Sequence, residues 1–369
     1  MPDPRLHTWA EVLVGYSTAV QPGETVAISG GVAAEPLLGA IHRAVLAAGA
    51  HPVLLPGFPE LAADLLARGS DEQLAYVSPL ERFVRAEADV AIAVAAATNT
   101  RALSGVDPAR QTRWARARAD LTEVSMRRAA SGERRWSSTL YPTAAYAQDA
   151  EMATDDFAEF LFTTCKLNDR DPVAAWRRLS AEQARLIDRL AGARRIRVVG
   201  PDTDLTLSVA GRSWVNSDGR RNFPSGEVFT GPVEDSATGH VRFSYPAIAG
   251  GREMADVRLR FEHGLVVDAA AAQNEPYLLA TLDTDPGARR LGEFAFGTNF
   301  DVTRFTKNIL FDEKIGGTIH MALGAGYPDT GSRNTSAIHW DLICDLRPPA
   351  GGRVEVDGVP FLEDGRFLV

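Results

Sequence analysis

The chain has 369 residues, which is long for one hydrophobic core and therefore favours two domains. Its net charge of −9 and its pI near 5.4 argue against nucleic acid or an anionic membrane surface as a partner. The first residues lack a signal-peptide pattern, the apolar run around 88–97 is too short to span a bilayer, and Cys165 and Cys344 are too few for a disulfide framework. A cytoplasmic protein is expected.

Residues 1–190 alternate between strand and helix patterns. Strands are predicted over 25–29, 52–55 and 89–94. Helices are predicted over 9–19, 35–48, 71–76, 142–147, 154–162 and 172–193, and Ser180 is a candidate N-cap for the second half of the last one. Because such alternation requires crossover connections, this region is predicted to be an α/β domain with a doubly wound, largely parallel sheet.

The sequence pattern changes in residues 191–369, where short strand patterns dominate and few helices are predicted. Strands over 256–261 and 265–270 flank a Glu-His-Gly turn, which is a hairpin signal. Two Asp-Gly turns near the C-terminus separate further short strands. The second domain is therefore predicted to be mostly antiparallel β, of the α+β type.

Potential metal ligands lie on strand patterns in this second domain. His339 and Asp341 are two residues apart, so on a strand they share a face, while Trp340 points to the opposite face. Glu293 and His320 also stand in apolar strand patterns. Burying such groups costs several kcal/mol unless they are paired or bind a metal. A metal site on one sheet face is therefore predicted.

Two further carboxylates extend this candidate set. Glu313 precedes the His320 strand, and Glu227 follows a Pro-Ser-Gly turn, where by itself it resembles an ordinary exposed glutamate. All the candidate donors are oxygen or imidazole nitrogen, which suits Zn, Co, Mn or Mg. The carboxylates exceed the needs of one catalytic ion and favour two divalent ions bridged by a carboxylate.

Other chemistries are less well supported. The chain has no Gly-x-Ser-x-Gly nucleophile elbow, and neither cysteine has a partner histidine nearby in sequence. The Gly30-Gly31 turn after the first strand lacks the full dinucleotide-binding fingerprint and a Walker lysine. A nucleotide-binding module built on this turn would leave the C-terminal ligands unexplained.

The motifs around these residues resemble the M29 family of metallo-aminopeptidases, which includes the aminopeptidase T and aminopeptidase S group. In the C-terminal half they are GEVFTGPVEDS, GARRLGEFAFGTN, ILFDEKIGGTIHMALG and NTSAIHWDLICDLR. Similar motifs in the N-terminal half include PGETVAISG and RRWSSTLYPTAAYA. The resemblance covers almost the whole chain, although the acidic residue matched by Glu313 lies closer to the histidine in the family.

The resemblance implies a two-metal aminopeptidase of broad specificity that acts on peptides with a free N-terminus. The implied metal ligands are Glu227, Glu293, Glu313, His320, His339 and Asp341. It further implies that Glu293 bridges the ions, that Glu313 or Glu293 handles the proton of the attacking water, and that Tyr327 donates to the oxyanion. A homodimer is also implied, with an N-terminal domain that shields the active site and contributes to dimerisation.

One related enzyme class remains an alternative. Iron-dependent dihydroxypyridine ring-cleaving dioxygenases resemble this family and use one Fe(II) held by two histidines and a carboxylate. His320, His339 and Asp341 are residues of the required types. Such a mononuclear site would leave the three glutamates of the candidate set without a role.

Overall fold

The structure is a computed structural model that describes residues 3–249 and 252–368. The chain divides into two compact units. The first comprises Met1–Ala175 and Gly219–Pro224, and the second comprises Trp176–Asp218 and Ser225–Val369. Among the described residues, no helix is both long enough and apolar enough to cross a bilayer.

The first unit is built on a four-stranded parallel sheet with the order β2-β1-β3-β4. Its strands are β1 (Thr25–Gly31), β2 (His51–Gly57), β3 (Val90–Ala95) and β4 (Arg135–Leu140). Its helices are α1 (Arg5–Val12), α2 (Glu35–Ala47), α3 (Pro59–Arg68), α4 (Asp71–Ala75), α5 (Pro79–Ala86), α6 (Pro108–Arg116), α7 (Ala119–Ala130), α8 (Ala144–Asp149) and α9 (Thr154–Thr164). The predicted α/β architecture with a parallel sheet is confirmed.

Several local predictions in this region need correction. The first helix begins earlier than predicted and continues from Val12 into a π-helical turn, Leu13–Ser17. Strand β4 was not predicted, because its sequence RWSSTL carries polar residues that become buried only beside β3. The long helix α10 (Pro172–Leu190) is continuous, and Ser180 does not cap it, since its hydroxyl donates to Asp218 at 2.9 Å.

The second unit contains two large antiparallel sheets and a two-stranded ribbon. The strands of the eight-stranded sheet and the ribbon are β5 (Arg195–Gly200), β6 (Thr203–Ser208), β9 (Thr238–Phe243), β10 (Ala247–Ala249), β11 (Arg252–Met254), β12 (Val257–Glu262), β13 (Leu265–Ala270), β17 (Arg353–Val356), β18 (Val359–Glu363) and β19 (Arg366–Phe367). Those of the five-stranded sheet, with the order β16-β15-β14-β8-β7, are β7 (Val215–Ser217), β8 (Glu227–Thr230), β14 (Leu291–Gly297), β15 (Thr318–Gly324) and β16 (His339–Asp345). The short helices are α11 (Glu275–Leu282) and α12 (Ile309–Asp312).

One apolar core serves both large sheets of the second unit. The five-stranded sheet contributes alternate residues of its strands to this core, among them Val228, Phe294, Phe296, Ile319, Met321, Trp340 and Leu342. Because side chains on a strand alternate between faces, the residues between these point away from the core. The opposite face of this sheet is therefore free to carry polar chemistry.

Asp345, the last residue of β16, forms a bidentate ion pair with Arg347. Arg347 donates from Nε to Asp345 Oδ1 and from Nη2 to Asp345 Oδ2, both at 2.9 Å, and the Tyr245 hydroxyl donates to Oδ2 at 2.9 Å. Burial alone would raise the pKa of Asp345, but the bonds from Arg347 hold it below its usual range. The pair therefore stabilises the folded state when Asp345 is ionised.

We expect Asp345→Asn to lower the free energy of unfolding by about 1–3 kcal/mol near neutral pH. A lowered carboxyl pKa stabilises the fold above the unfolded pKa and loses this effect as the pH falls through the folded pKa. The difference from wild type should therefore shrink in denaturant titrations at pH values below the ordinary 3.8. Asp283→Asn, at an exposed pair with Arg289, is the control and should change stability by less than about 1 kcal/mol. An equal loss at every pH would contradict the ionic role.

Candidate metal centre

The candidate ligands on strands all lie on one face of the five-stranded sheet. The alternate positions Val228, Phe294, Ile319 and Trp340 belong to the apolar core. Glu227, Glu293, His320, His339 and Asp341 occupy the intervening positions of β8, β14, β15 and β16. The period of two predicted from the sequence therefore brings carboxylates and imidazoles together above the sheet.

The strand register leaves space among these side chains. Ala322 of β15 pairs with Glu293 on one side and with Asp341 on the other. Ala295 of β14 pairs with His320 of β15. A methyl group at each of these positions fills little volume above the sheet, so the longer polar side chains around it converge on a common space.

Glu313 reaches the same space from a connection rather than a strand. It follows α12, and a tight Gly316-Gly317 turn leads from there into β15. Gly317 has φ +85°, and a Cβ there would lie 2.3 Å from the carbonyl oxygen of Gly365. Only glycine fits such a position, so this turn fixes the place from which Glu313 enters the centre.

Three groups of side chains bring their ligand atoms within 4.8 Å of one another, and these groups overlap. The first group contains Glu227, Glu293 and His320, and the second contains Glu293, His339 and Asp341. Glu293 Oε1 lies 3.5 Å from His320 Nε2, whereas its Oε2 lies 3.4 Å from His339 Nε2. Each oxygen of Glu293 thus faces a different histidine.

The third group is formed by Glu313, His320 and Asp341. It shares His320 with the first group and Asp341 with the second. The structure therefore brings together all six residues that the sequence comparison suggested as ligands. The burial of Glu227 corrects the sequence-based expectation of an exposed side chain, since only 5% of its surface is accessible.

Several side-chain atoms in this cluster that could ligate a metal are buried without a hydrogen bond to any residue in 3–249 or 252–368. They are Glu227 Oε2, both ring nitrogens of His320 and Asp341 Oδ1. Buried polar atoms carry a desolvation cost that is normally offset by a partner. An oxygen and nitrogen donor set of this kind fits a hard or borderline divalent cation.

His339 is oriented by a backbone contact typical of metal-binding histidines. Its Nδ1 donates to the carbonyl oxygen of Ala325 at 2.8 Å, so Nε2 is the ring nitrogen that faces Glu293 and Asp341. Tyr327 packs against the ring of His339 with a centroid separation of 5.0 Å. Both side chains are partly exposed, so the centre opens to solvent on this side.

The family profile described as thermophilic metalloprotease (M29) matches residues 2–367. The chain belongs to the M29 family. Aminopeptidase 2 from Geobacillus stearothermophilus is 32% identical to this M29 protein, over 98% of this chain and 95% of that relative. The structure of wild-type AmpT from Thermus thermophilus matches with a TM-score of 0.83 and 25% identity, over 99% of each chain. The family resemblance and the fold class are confirmed.

Family membership decides the enzyme class and the kind of cofactor. The M29 protein is a hydrolase of the metallo-aminopeptidase class, and its family implies a divalent metal cofactor. A 2,5-dihydroxypyridine dioxygenase from Pseudomonas putida KT2440 also matches, with a TM-score of 0.62 over 100% of this chain and 99% of that one. Its identity is 16%, so this likeness shows a common fold alone.

The carboxylates of the M29 centre differ in their affinity for protons. Burial raises the pKa of Glu227, but the Lys314 ammonium and His320 outweigh burial and bring it to about 2. Burial raises the pKa of Glu313 to about 8, with help from the nearby carboxylates of Asp341 and Glu227 and against the effect of Lys314. Burial alone would lower the pKa of His339, but Glu293 and Asp341 raise it to about 10.

Sequence reasoning missed two residues that contact this cluster. Lys314 is fully buried, and its ammonium lies 2.6 Å from Glu227 Oε1 and also contacts Glu313 Oε1. Gln183 of α10 donates from Nε2 to the backbone carbonyl of Glu227 at 2.8 Å and so fixes the start of β8. The charged triplet Asp-Glu-Lys between an apolar helix and an apolar strand was a signal for Lys314, whereas nothing local marked Gln183.

Proposed function

We propose that this enzyme removes N-terminal residues from peptides with broad specificity, using two divalent ions that share Glu293. The observation that carries the proposal is the pair of overlapping ligand groups, in which each Glu293 oxygen faces a different histidine. A shared carboxylate between neighbouring positions is the usual arrangement of dinuclear hydrolases. The donor set suits Zn, Co, Mn or Mg.

The geometry favours Glu293 over Asp341 as the bridge. His320 belongs to the group with Glu227 and to the group with Glu313, and its Nε2 lies near Glu227 and Glu293. Glu227 Oε2 lies 3.2 Å from His320 Nε2, whereas Lys314 pairs with Oε1 of the same carboxylate. We therefore place the two ions at Glu227–Glu293–His320 and at Glu293–His339–Asp341.

The remaining residues have roles that follow from their positions. Bound divalent ions supply Lewis acidity and lower the pKa of water in the centre. Glu313, left outside both ion positions but close to His320 and Asp341, is placed to accept the proton of the attacking water and return it to the leaving amine. The hydroxyl of Tyr327, at the open side beside His339, donates a hydrogen bond to the tetrahedral oxyanion.

The same open side supports the proposed preference for a free N-terminus. The residues proposed to hold the second ion, Glu293, His339 and Asp341, lie on this side, where the side chain of His339 is partly exposed, so a free α-amino group that enters there would come next to the ion position. An acetylated N-terminus is bulkier and offers no free amine at this position. Exopeptidase action is the expected consequence.

The test compares one short peptide in its free and N-acetylated forms, using protein stripped by a chelator and reconstituted with a single divalent metal. We expect stepwise loss of N-terminal residues from the free peptide only, dependence on added metal, and two ions per chain by elemental analysis. A stable folded protein serves as a further substrate and should remain intact. Internal cleavage or equal turnover of the acetylated peptide would refute the exopeptidase assignment. One bound iron with ring-cleaving activity would favour the dioxygenase instead.

We further propose a cytoplasmic homodimer in which residues 1–190 form the domain that restricts access to the centre and 191–369 form the catalytic domain. Cys165 and Cys344 are buried thiols, which suits a reducing compartment. The homodimer and the shielding role rest on the resemblance to M29 enzymes. Light scattering of the purified protein measures the assembly directly.

A further inference from the structure

The ammonium group of Lys314 lies inside the cluster of candidate ligands. The side chain is fully buried, and lysine is almost never fully buried unless its charge is paired. Its Nζ lies 2.6 Å from Glu227 Oε1 and contacts Glu313 Oε1 as well. The centre thus contains a permanent positive charge before any metal ion binds.

This contact divides the carboxylates of the centre into two classes. The Lys314 ammonium contacts one oxygen of Glu227 and one oxygen of Glu313. Within the described residues it forms no ion pair with Glu293 or Asp341. Glu227 therefore presents its other oxygen, Oε2, toward His320 Nε2 at 3.2 Å. An ion held by Glu227 Oε2 would therefore have the Lys314 ammonium on the other oxygen of the same carboxylate.

The second ion position has a different environment. Its ligands Glu293, His339 and Asp341 lie on β14 and β16, and its histidine is held by the Ala325 carbonyl. Like charges repel more strongly the closer they lie and the less water separates them. A cation held by Glu227 is therefore repelled by an ammonium that contacts its own ligand, whereas Glu293, His339 and Asp341 form no ion pair with Lys314 within the described residues.

We propose that Lys314 is a positioning residue that makes the two ion positions unequal. Acting through Glu227 and Glu313, it weakens the ion held by Glu227, Glu293 and His320 and keeps Glu313 out of metal ligation. The inference rests on the proposed two-ion function and adds an order of occupancy to it. The position formed by Glu293, His339 and Asp341 fills first.

The test uses three substitutions of Lys314 and one control. Lys314→Met removes the charge at similar length, Lys314→Gln removes the charge but retains hydrogen-bonding capacity, and Lys314→Arg retains the charge. Lys307→Met is the matched control, because Lys307 pairs with Glu253 at 3.4 Å in the same unit. Calorimetric titration of the metal-free proteins with Zn²⁺ gives the dissociation constant of each step, and Co²⁺ absorption spectra report the coordination of each ion.

In wild type we expect two binding steps whose dissociation constants differ by about tenfold or more. Lys314→Met should tighten the weaker step by about tenfold or more and change the stronger step by less than about threefold. Lys314→Arg and Lys307→Met should retain the wild-type separation. If Lys314→Met does not fold, Lys314→Gln carries the same expectation.

Other outcomes separate this inference from the proposed function. Two steps that do not change in Lys314→Met and Lys314→Gln would overturn the role of Lys314 and leave the two-ion function intact. One ion in wild type and two in the neutral variants would support the cation role of Lys314 and overturn the two-ion function of the natural enzyme. One ion in every protein would overturn both.

Discussion

Replacing Glu293 by Gln should reduce kcat/KM by roughly 10³-fold or more and leave the protein unable to hold two ions. Glu293 belongs to both ligand groups, and its two oxygens lie 3.5 Å and 3.4 Å from His320 and His339. An amide has one oxygen and one NH₂ group, and the NH₂ group cannot ligate a cation. One substitution therefore damages both ion positions at once.

The measurements are the hydrolysis rate of an aminoacyl chromogenic substrate and the metal content by elemental analysis. Glu262→Gln is the control, because Glu262 is an exposed glutamate at the end of β12, and this variant should behave as wild type. The expected signature is a joint loss of activity and of ions in Glu293→Gln. A variant that kept two ions and most of its activity would exclude Glu293 as the bridge.

Replacing Tyr327 by Phe should reduce kcat by about 10²–10³-fold, which is the usual loss for one oxyanion donor. Burial, Glu293 and the neighbouring carboxylates raise the pKa of Tyr327 above its ordinary 10.0. The hydroxyl therefore keeps its proton and can donate a hydrogen bond. The ring packs on His339 and on Phe229, with centroid separations of 5.0 Å and 5.5 Å. Phenylalanine preserves these contacts, so metal content should not change.

Steady-state kinetics together with metal analysis distinguish the possible roles of Tyr327. Tyr277→Phe, on α11 and outside the centre, is the control and should leave kcat unchanged. A normal kcat in Tyr327→Phe would mean that the ring serves packing alone. Loss of an ion would mean that the hydroxyl is a ligand rather than a donor.

Elements with strong local signals were predicted well. The hairpin of β12 and β13 and the Asp-Gly turns at the C-terminus follow from residues that favour positive φ, as at His263 and Asp357. The common face of His339 and Asp341 follows from the two-residue period of a strand alone. Such features depend on a few neighbouring residues, so the sequence contains the information they need.

Elements that depend on distant partners were missed. Helices α5 and α6 are short and have no buried residue, so neither contributes to an apolar core. Strand β4 becomes a strand because it pairs with β3 across the parallel sheet. Ser180 looked like a cap because serine favours that position, but its hydroxyl is bonded to Asp218, which lies 38 residues away.

By itself, the sequence determined the classes of the two regions, the strands that carry His320, His339 and Asp341, and the types of donor atom at the centre. These depend on residue chemistry and on short periodicities. Tertiary structure alone decided that Glu227 is buried, that Glu293 is shared between two groups, and that Lys314 enters the ligand cluster. Each of these depends on which strands pair, in which register, and on the segment after α12 that brings Lys314 to Glu227 of β8. No pattern of neighbouring residues encodes those distances, because they are set by contacts between segments far apart in the chain.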